Sequence, residues 1–267
     1  MRAGAPGRRQ RLDLLLVGLG LAETREKAQA LVMAGRVRVD ARPATKPGMS
    51  VRASARVELA SGPEHVGRGA LKLQGALAAF ELDPRGRVAV DVGASTGGFT
   101  ETLLERGAAR VYAVDVGRGQ LHERLRADPR VRVLERTNAR SLSAREIREP
   151  CGLATMDVSF ISVLKILPAL RSVLAADADV VVLVKPQFEV GRGQVGRRGV
   201  VREPSLHRQA LVKVARGAEA LGYGVLGACP SPIEGAQGNR EFFLSLRRDG
   251  APLDPAAFDA MMARALE

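Results

Sequence analysis

Three apolar runs in this sequence end in residues suited to holding a nucleoside. The stretch DVGASTGGFTET (Asp91–Thr102) closes the first run with glycines. A strand that ends in such a turn and opens a helix brings bare backbone amides and a positive helix end to one ligand; a tight turn without a ligand is the alternative. The spacing discriminates between cofactors. A dinucleotide site wants G-x-G-x-x-G. Here Asp91, Gly93, Ser95 and Gly97 give acid-x-G-x-S-x-G, with Ala94, Thr96, Gly98 and Phe99 completing the turn and helix start, a pattern that suits S-adenosylmethionine better than NAD. Asp115 closes VYAVD about twenty residues on, where a carboxylate accepts both ribose hydroxyls of an adenosine or caps a helix. Asn138, in ERTNAR, offers an amide to an adenine edge or to a loop cap.

A second set of residues suits activation of a hydroxyl. Asp157 and Lys185 each terminate an apolar run, in LATMD and VVVLVK, so both are expected at the carboxyl edge of a sheet, where ligands sit. Either alone reads equally as a solvated strand end. Lys72 lies on a helix off its apolar face, where a lysine is ordinarily solvated, and Glu241 opens the last strand. If that strand runs antiparallel to the others, all four charges converge. Two lysines and two carboxylates around one pocket can orient a ribose hydroxyl in line with a methyl donor, and a desolvated lysine beside a second cation gives up its proton more readily.

The elements that must position these residues follow from pattern. RVAVDVG, RVYAVDVG, RVRVLER, LATMDVS and DVVVLVKP are continuous apolar runs of the kind buried on both faces of a parallel sheet, and helical segments alternate with them. ALKLQGALAAFEL places Leu73, Leu77 and Phe80 on one helical face, a long helix spans about 206–221, and EFFLSL reads as the final strand. Ahead of them, leucines 12, 15, 16 and 19 recur at helical spacing, Thr24 is placed to cap a second helix, Gly35 to stop it, and RVRVD and SARVELA alternate as short strands. The 267 residues carry 41 Lys and Arg against 29 Asp and Glu, a net charge of +12, and the first 60 hold 12 basic against 5 acidic residues. Such an excess selects polyanionic partners rather than a fold. Two cysteines and three histidines, all scattered, make a metal site an unfavoured expectation. No run approaches the ~20 apolar residues of a membrane span, and the apolar run after RRQR is short for a signal peptide; the cytoplasm is the expected location.

RGALKL, DVGASTGGFTE, AVDVGRGQL, LERTNAR, MDVSFIS, LVKPQFEVGRGQVG and GNREFFL together resemble the hemolysin-A (TlyA) family of ribosomal RNA 2'-O-methyltransferases, whose catalytic half is similar to the FtsJ-like enzymes. RLDLLLVGLGLAETREKAQALVMAGRVRVDARPATKPGMSV looks like an S-four RNA-binding domain. The resemblance implies an α/β fold: a Rossmann-like methyltransferase sheet, mostly parallel with the last strand antiparallel, behind a small α+β module. It implies S-adenosyl-L-methionine as cofactor, a ribose of ribosomal RNA, that of a cytidine, as substrate, ribosomal subunits as partners, and a Lys-Asp-Lys-Glu tetrad carried by Lys72, Asp157, Lys185 and Glu241. In that tetrad Lys185 positions and deprotonates the hydroxyl, with Asp157 between it and the cofactor. The RNA-facing set is Arg11, Arg25, Lys27, Arg36, Lys46 and Arg68, for which a generic basic surface is the plain alternative. At VDARP a glycine usually follows the strand, and Ala41 stands there instead.

The expected organisation is a disordered tail (1–10), the S-four-like domain (11–60), a linker (61–67), the methyltransferase domain (68–248) and a tail or helix (249–267), as a monomer. The glycine-rich loop after Lys185 carries Arg192, Arg197, Arg198 and Arg202 and is expected to meet phosphates. Three other readings stay open: an RNA-binding assembly factor with a vestigial pocket, a membrane-lytic protein as the family's historical name suggests, and a nicotinamide-dependent reductase, which the glycine spacing disfavours.

Overall fold

The computed structural model describes residues 9–33, 35–44, 46–59, 65–196 and 199–267. The chain divides into two compact units, Met1–Arg68 and Gly69–Glu267.

In the first unit, β1 (Arg9–Arg11) leads into α1 (Leu12–Gly18), followed by α2 (Arg25–Met33), β2 (Val37–Val39), β3 (Arg42–Pro43), β4 (Ser50–Arg52) and β5 (Val57–Leu59). β1 pairs antiparallel with β4, and β3-β2-β5 form a second antiparallel sheet. Leu12, Leu15 and Leu16 of α1 close over Ala28, Val32, Val37 and Val51, each fully or nearly fully buried; a buried Leu or Val side chain contributes about 1.5–3 kcal/mol. Thr24 Oγ1 caps α2 by accepting from Lys27 N–H at 3.2 Å. Arg9 and Gln10, in the stretch read as tail, belong to β1, where pairing with β4 satisfies the backbone; residues 1–8 of that stretch lie outside the described residues.

The second unit is a seven-stranded sheet with helices on it: α3 (Gly69–Ala79), β6 (Val88–Val92), α4 (Gly98–Glu105), β7 (Arg110–Val114), α5 (Glu123–Arg126), β8 (Val131–Leu134), β9 (Cys151–Met156), α6 (Leu167–Arg171), β10 (Leu174–Val184), α7 (Pro186–Glu189), α8 (Pro204–Ala220), β11 (Tyr223–Pro230), β12 (Phe242–Arg248) and α9 (Pro255–Leu266). The strand order is β11-β12-β10-β9-β6-β7-β8. β12 alone runs antiparallel to its neighbours, and the other contacts in the sheet are parallel. The chain winds from β6 outward through β7 and β8, then returns to β9 and continues the other way through β10. The order therefore reverses between β6 and β9, the crevice where open α/β sheets bind ligands.

The residue after each strand lies along one edge. Gly93, Asp115, Asp157 and Lys185 follow β6, β7, β9 and β10 directly, and Glu241 immediately precedes β12. Because Val184 pairs with Phe242 in the antiparallel register, the next pair outward is Lys185 and Glu241. At the opposite edge, buried Asp179 collects Arg87 and Arg247 in charge-assisted hydrogen bonds of 2.8–3.0 Å.

The C-terminal segment read as a tail or helix is α9, capped by Asp254 and burying Phe258, Met261, Met262 and Ala265 in the sheet's main core. Of the stretch read as a linker, 61–64 lie outside the described residues, and the units divide after Arg68.

Candidate active site

The glycine turn is built by close approach. Gly93 has φ +86°, its N–H donates to Val114 O at 2.8 Å, and any Cβ there would strike the carbonyl oxygen of Asp157. Only glycine lets the ends of β6 and β9 come this near. Ser95, at φ 49°, donates its N–H to Asp115 Oδ2 at 2.8 Å, and Gly117 N–H donates to Asp115 Oδ1 at 2.7 Å. Asp115 thus fastens its own loop to the glycine turn, and a carboxylate oxygen holds a second lone pair for another donor.

These strand ends frame a cleft of about 390 Å³ whose polar lining includes Gly93, Ser95, Asp115, Asn138, Asp157 and Ser159. Val116, Phe160, Ile161 and Ile166 supply apolar wall. A cleft with apolar walls and a few fixed polar groups is the usual form of a nucleoside-sized site. Asn138 does cap: its Oδ1 accepts from Arg140 N–H at 3.0 Å, and the same residue lines the cleft.

The rest of the turn stands behind the lining. Asp91 is fully buried, and its oxygens accept from Thr100 Oγ1 (2.7 Å) and Thr155 Oγ1 (3.0 Å), tying β6 to α4 and β9. Burial pushes its carboxyl up to about 7, against the opposing pull of the two hydroxyls. Ala94 is buried under the turn, Thr96 is exposed and its carbonyl accepts from His122 N–H, and Gly97 is the left-handed N-cap of α4. Gly98 packs against the backbone of Gly69 and Ala70, and Phe99 meets Phe243 with ring centroids 6.2 Å apart.

The four charges form two ion pairs. Lys185 Nζ is 2.5 Å from Asp157 Oδ1, and Lys72 Nζ donates to Glu241 Oε2 at 2.6 Å. Lys72 is 8% exposed, so the alternative of a solvated lysine off the apolar face does not hold. The polar side of α3 is covered because Glu241, only 3% exposed, meets it there, and a lysine with a buried counter-charge can be buried. A side chain at Gly235 would take the space of the Glu241 carboxylate.

Two residues that the sequence reading missed complete the geometry. Lys185 Nζ also donates to Ser159 Oγ at 2.9 Å. Glu189, on α7 and buried, accepts from Ser162 Oγ at 2.7 Å and Val163 N–H at 2.9 Å, joining the exits of β9 and β10; burial raises its carboxyl. A polar residue two places after a strand-end acid, and an acid one helical turn after a strand-end lysine, are signals too weak to stand alone.

An FtsJ-like methyltransferase family model matches residues 65–248, and an S4 domain model matches residues 10–57. A TlyA of Mycobacterium tuberculosis, named as a 16S/23S rRNA (cytidine-2'-O)-methyltransferase, is 52% identical over 242 residues, 90% of each chain. The chain belongs to the TlyA family of FtsJ-like methyltransferases. Among other family members, Hemolysin A of Brachyspira hyodysenteriae is 36% identical over 87% of this chain and 97% of its own. A solved structure from Streptococcus thermophilus that carries a hemolysin name superposes with a TM-score of 0.75 at 42% identity, covering 96% of this chain and 95% of that one. S-adenosylmethionine is the cofactor of the family. Despite the hemolysin names, no helix among the described residues is long and apolar enough to cross a membrane.

The S4 unit of this TlyA-family chain arranges its basic residues unequally. Asp13, completely buried, accepts from Arg11 Nε (3.0 Å) and Nη2 (2.8 Å), Arg25 Nε (3.0 Å), Gln29 Nε2 (3.1 Å) and Leu14 N–H (3.0 Å). These contacts hold its carboxyl far below the usual range. The side chains of Arg11 and Arg25 stay half exposed, at 47% and 48%, so both guanidinium groups are fixed yet reachable. Lys27 is paired with Glu23, Lys46 is exposed, and Arg36 and Arg68 are half-buried. In the loop after Lys185, Arg192 lies in a 3-10 turn and Arg202 is exposed, whereas Arg197 and Arg198 lie outside the described residues.

Proposed function

We propose that the protein methylates the 2'-hydroxyl of a ribose, that of a cytidine, in ribosomal RNA of the small subunit, the large subunit or both. The observation that carries this reading is the Lys185–Asp157 pair at the lip of a nucleoside-sized cleft, one strand from the Lys72–Glu241 pair. When bound, S-adenosylmethionine supplies an electrophilic methyl group on a sulfonium. Asp115 and Asn138, which line the cleft, would hold its nucleoside part, with backbone of the glycine turn beside them. Lys185 positions the ribose hydroxyl and takes its proton as the oxygen becomes a nucleophile, a role worth roughly 10²–10⁴ in rate for a positioned base. Asp157 keeps the resulting ammonium paired. Lys72 and Glu241 supply a second charge pair at the same edge of the sheet.

The two units divide the work in this reading. Residues 11–60 dock on RNA through Arg11, Arg25 and their neighbours, and residues 68–248 perform the transfer, in the cytoplasm where ribosomal subunits are. Phosphate contacts of this kind position an enzyme without specifying sequence. Transfer of a radiolabelled methyl group from S-adenosylmethionine to purified 30S and 50S subunits lacking the modification, followed by nuclease digestion, tests it. Label on a cytidine 2'-oxygen supports the reading. Measurable cofactor binding with no label on either subunit overturns it in favour of an assembly factor.

A further inference from the structure

Lys185 has three positions on Nζ beyond its Cε: three N–H donors as an ammonium, or two donors and a lone pair as an amine. Ser159 Oγ accepts from one of them at 2.9 Å. Asp157 Oδ1 stands at 2.5 Å as an ion-pair contact without hydrogen-bond alignment, so it attracts the ammonium without fixing the rotation of Nζ. The hydrogen bond to Ser159 fixes that rotation.

The segment that carries both residues is held firmly. Just beyond Ser159, Phe160 turns through φ 66° and its ring lies 5.1 Å from that of Phe188 on α7. Ser162 Oγ and Val163 N–H are both bound by Glu189, four residues after Lys185. The exits of β9 and β10 are therefore joined on either side of the lysine, so Ser159 meets Nζ from a fixed direction. The side chain of Lys185 is 11% exposed, and water has little access to replace the hydroxyl as acceptor.

We propose that Ser159 is a positioning residue for methyl transfer, acting through Lys185: its hydroxyl holds one N–H of Nζ and so fixes the rotation of the amine that takes the ribose proton. This rests on the reading of Lys185 as the base. Geometric precision of this order decides how much of a base's contribution is realised.

The test uses the full chain, ribosomal subunits and S-adenosylmethionine, with kcat, subunit KM, cofactor Kd and Tm measured for Ser159→Ala, Ser159→Thr and Lys185→Ala. Ser159→Ala is expected to lower kcat about 10- to 100-fold, part of the contribution of a positioned base, while KM and Tm hold and cofactor Kd changes by less than kcat. Ser159→Thr, which restores a hydroxyl, is expected to recover most of kcat. An unchanged kcat in Ser159→Ala, a loss confined to cofactor affinity, or a loss that threonine fails to reverse overturns the proposal. An inactive Lys185→Ala beside a fully active Ser159→Ala removes only the role of Ser159, whereas an active Lys185→Ala removes the reading of the base itself.

Discussion

Lys72 on α3 and Glu241 at the head of β12 are 169 residues apart in sequence and meet at 2.6 Å with both side chains buried. Removing one partner of such a pair leaves an uncompensated buried charge at a cost of about 3–5 kcal/mol, whereas replacing both with apolar groups is often neutral. Glu241→Ala is therefore expected to lower Tm by roughly 6 °C or more, and Lys72→Met combined with Glu241→Leu to restore most of it. The double variant is expected to stay inactive in methyl transfer. Recovery of activity along with Tm would show the pair to be structural only.

Lys185→Ala is expected to reduce single-turnover methyl transfer by about 10²–10⁴ and to leave S-adenosylmethionine binding measurable by calorimetry. Among the described residues its Nζ meets Asp157 and Ser159, and the cleft keeps Gly93, Asp115 and Asn138 without it. Loss of cofactor binding instead would reassign Lys185 to the cofactor.

How much of this site is legible in sequence depends on how local its causes are. Asp157 and Lys185 could be placed because a charge ending an apolar run must lie at a strand end, and β12 could be oriented only conditionally, since direction is set by sheet pairing. The burial of Lys72 was not legible, because its cause sits on the far side of the fold. Asp91 reads naturally as part of a ligand turn. Its actual partners, Thr100 and Thr155, come from a helix and a neighbouring strand that only the assembled sheet brings together. Ser159, Glu189 and Asp13 carry no distinctive spacing and take their roles from contacts that no local pattern encodes.

Asp91 provides a pH test with a definite sign. Its folded carboxyl is raised to about 7 from an ordinary 3.8, so folding takes up a proton between those values. The stability it contributes is complete below about pH 4 and is lost as pH rises through 7. The difference in Tm between the parent and Asp91→Asn is expected to shift steadily against the parent from pH 4 to 7 and to level off above. A pH-independent difference would place the titration elsewhere.

Asp13 tests whether arginine orientation matters for RNA. Its carboxyl is held far below 3.8, so the stability it contributes is present above about pH 4 and is lost as pH falls further. At neutral pH, Asp13→Asn removes the charge that fixes Arg11 and Arg25 while leaving both arginines in place. RNA affinity is expected to drop with little change in kcat at saturating subunit. Arg11→Ala is expected to reduce the salt slope of RNA binding by about 1, the loss of one phosphate contact. An unchanged slope in filter binding across a salt series would remove Arg11 from the interface.

The turn between β2 and β3 shows what the missing family glycine does. Asp40 and Ala41 both adopt left-handed backbone, at φ 50° and 64°, the conformation of a two-residue hairpin turn that favours Asp-Gly. Asp40 is compensated, since its Oδ1 accepts from Arg56 N–H at 3.0 Å. Ala41 has no such compensation, and a non-glycine residue in this region costs roughly 1–2 kcal/mol. Glycine would relieve that strain but loses about 0.5–1 kcal/mol more chain entropy on folding. Ala41→Gly is therefore expected to stabilise the S4 unit by about 0.5–1 kcal/mol, seen as a rise of roughly 2–8 °C in its transition within the full chain. Because the change touches no basic side chain, RNA affinity at low temperature should not move. A fall in Tm would mean that the turn relaxes to accept alanine without strain.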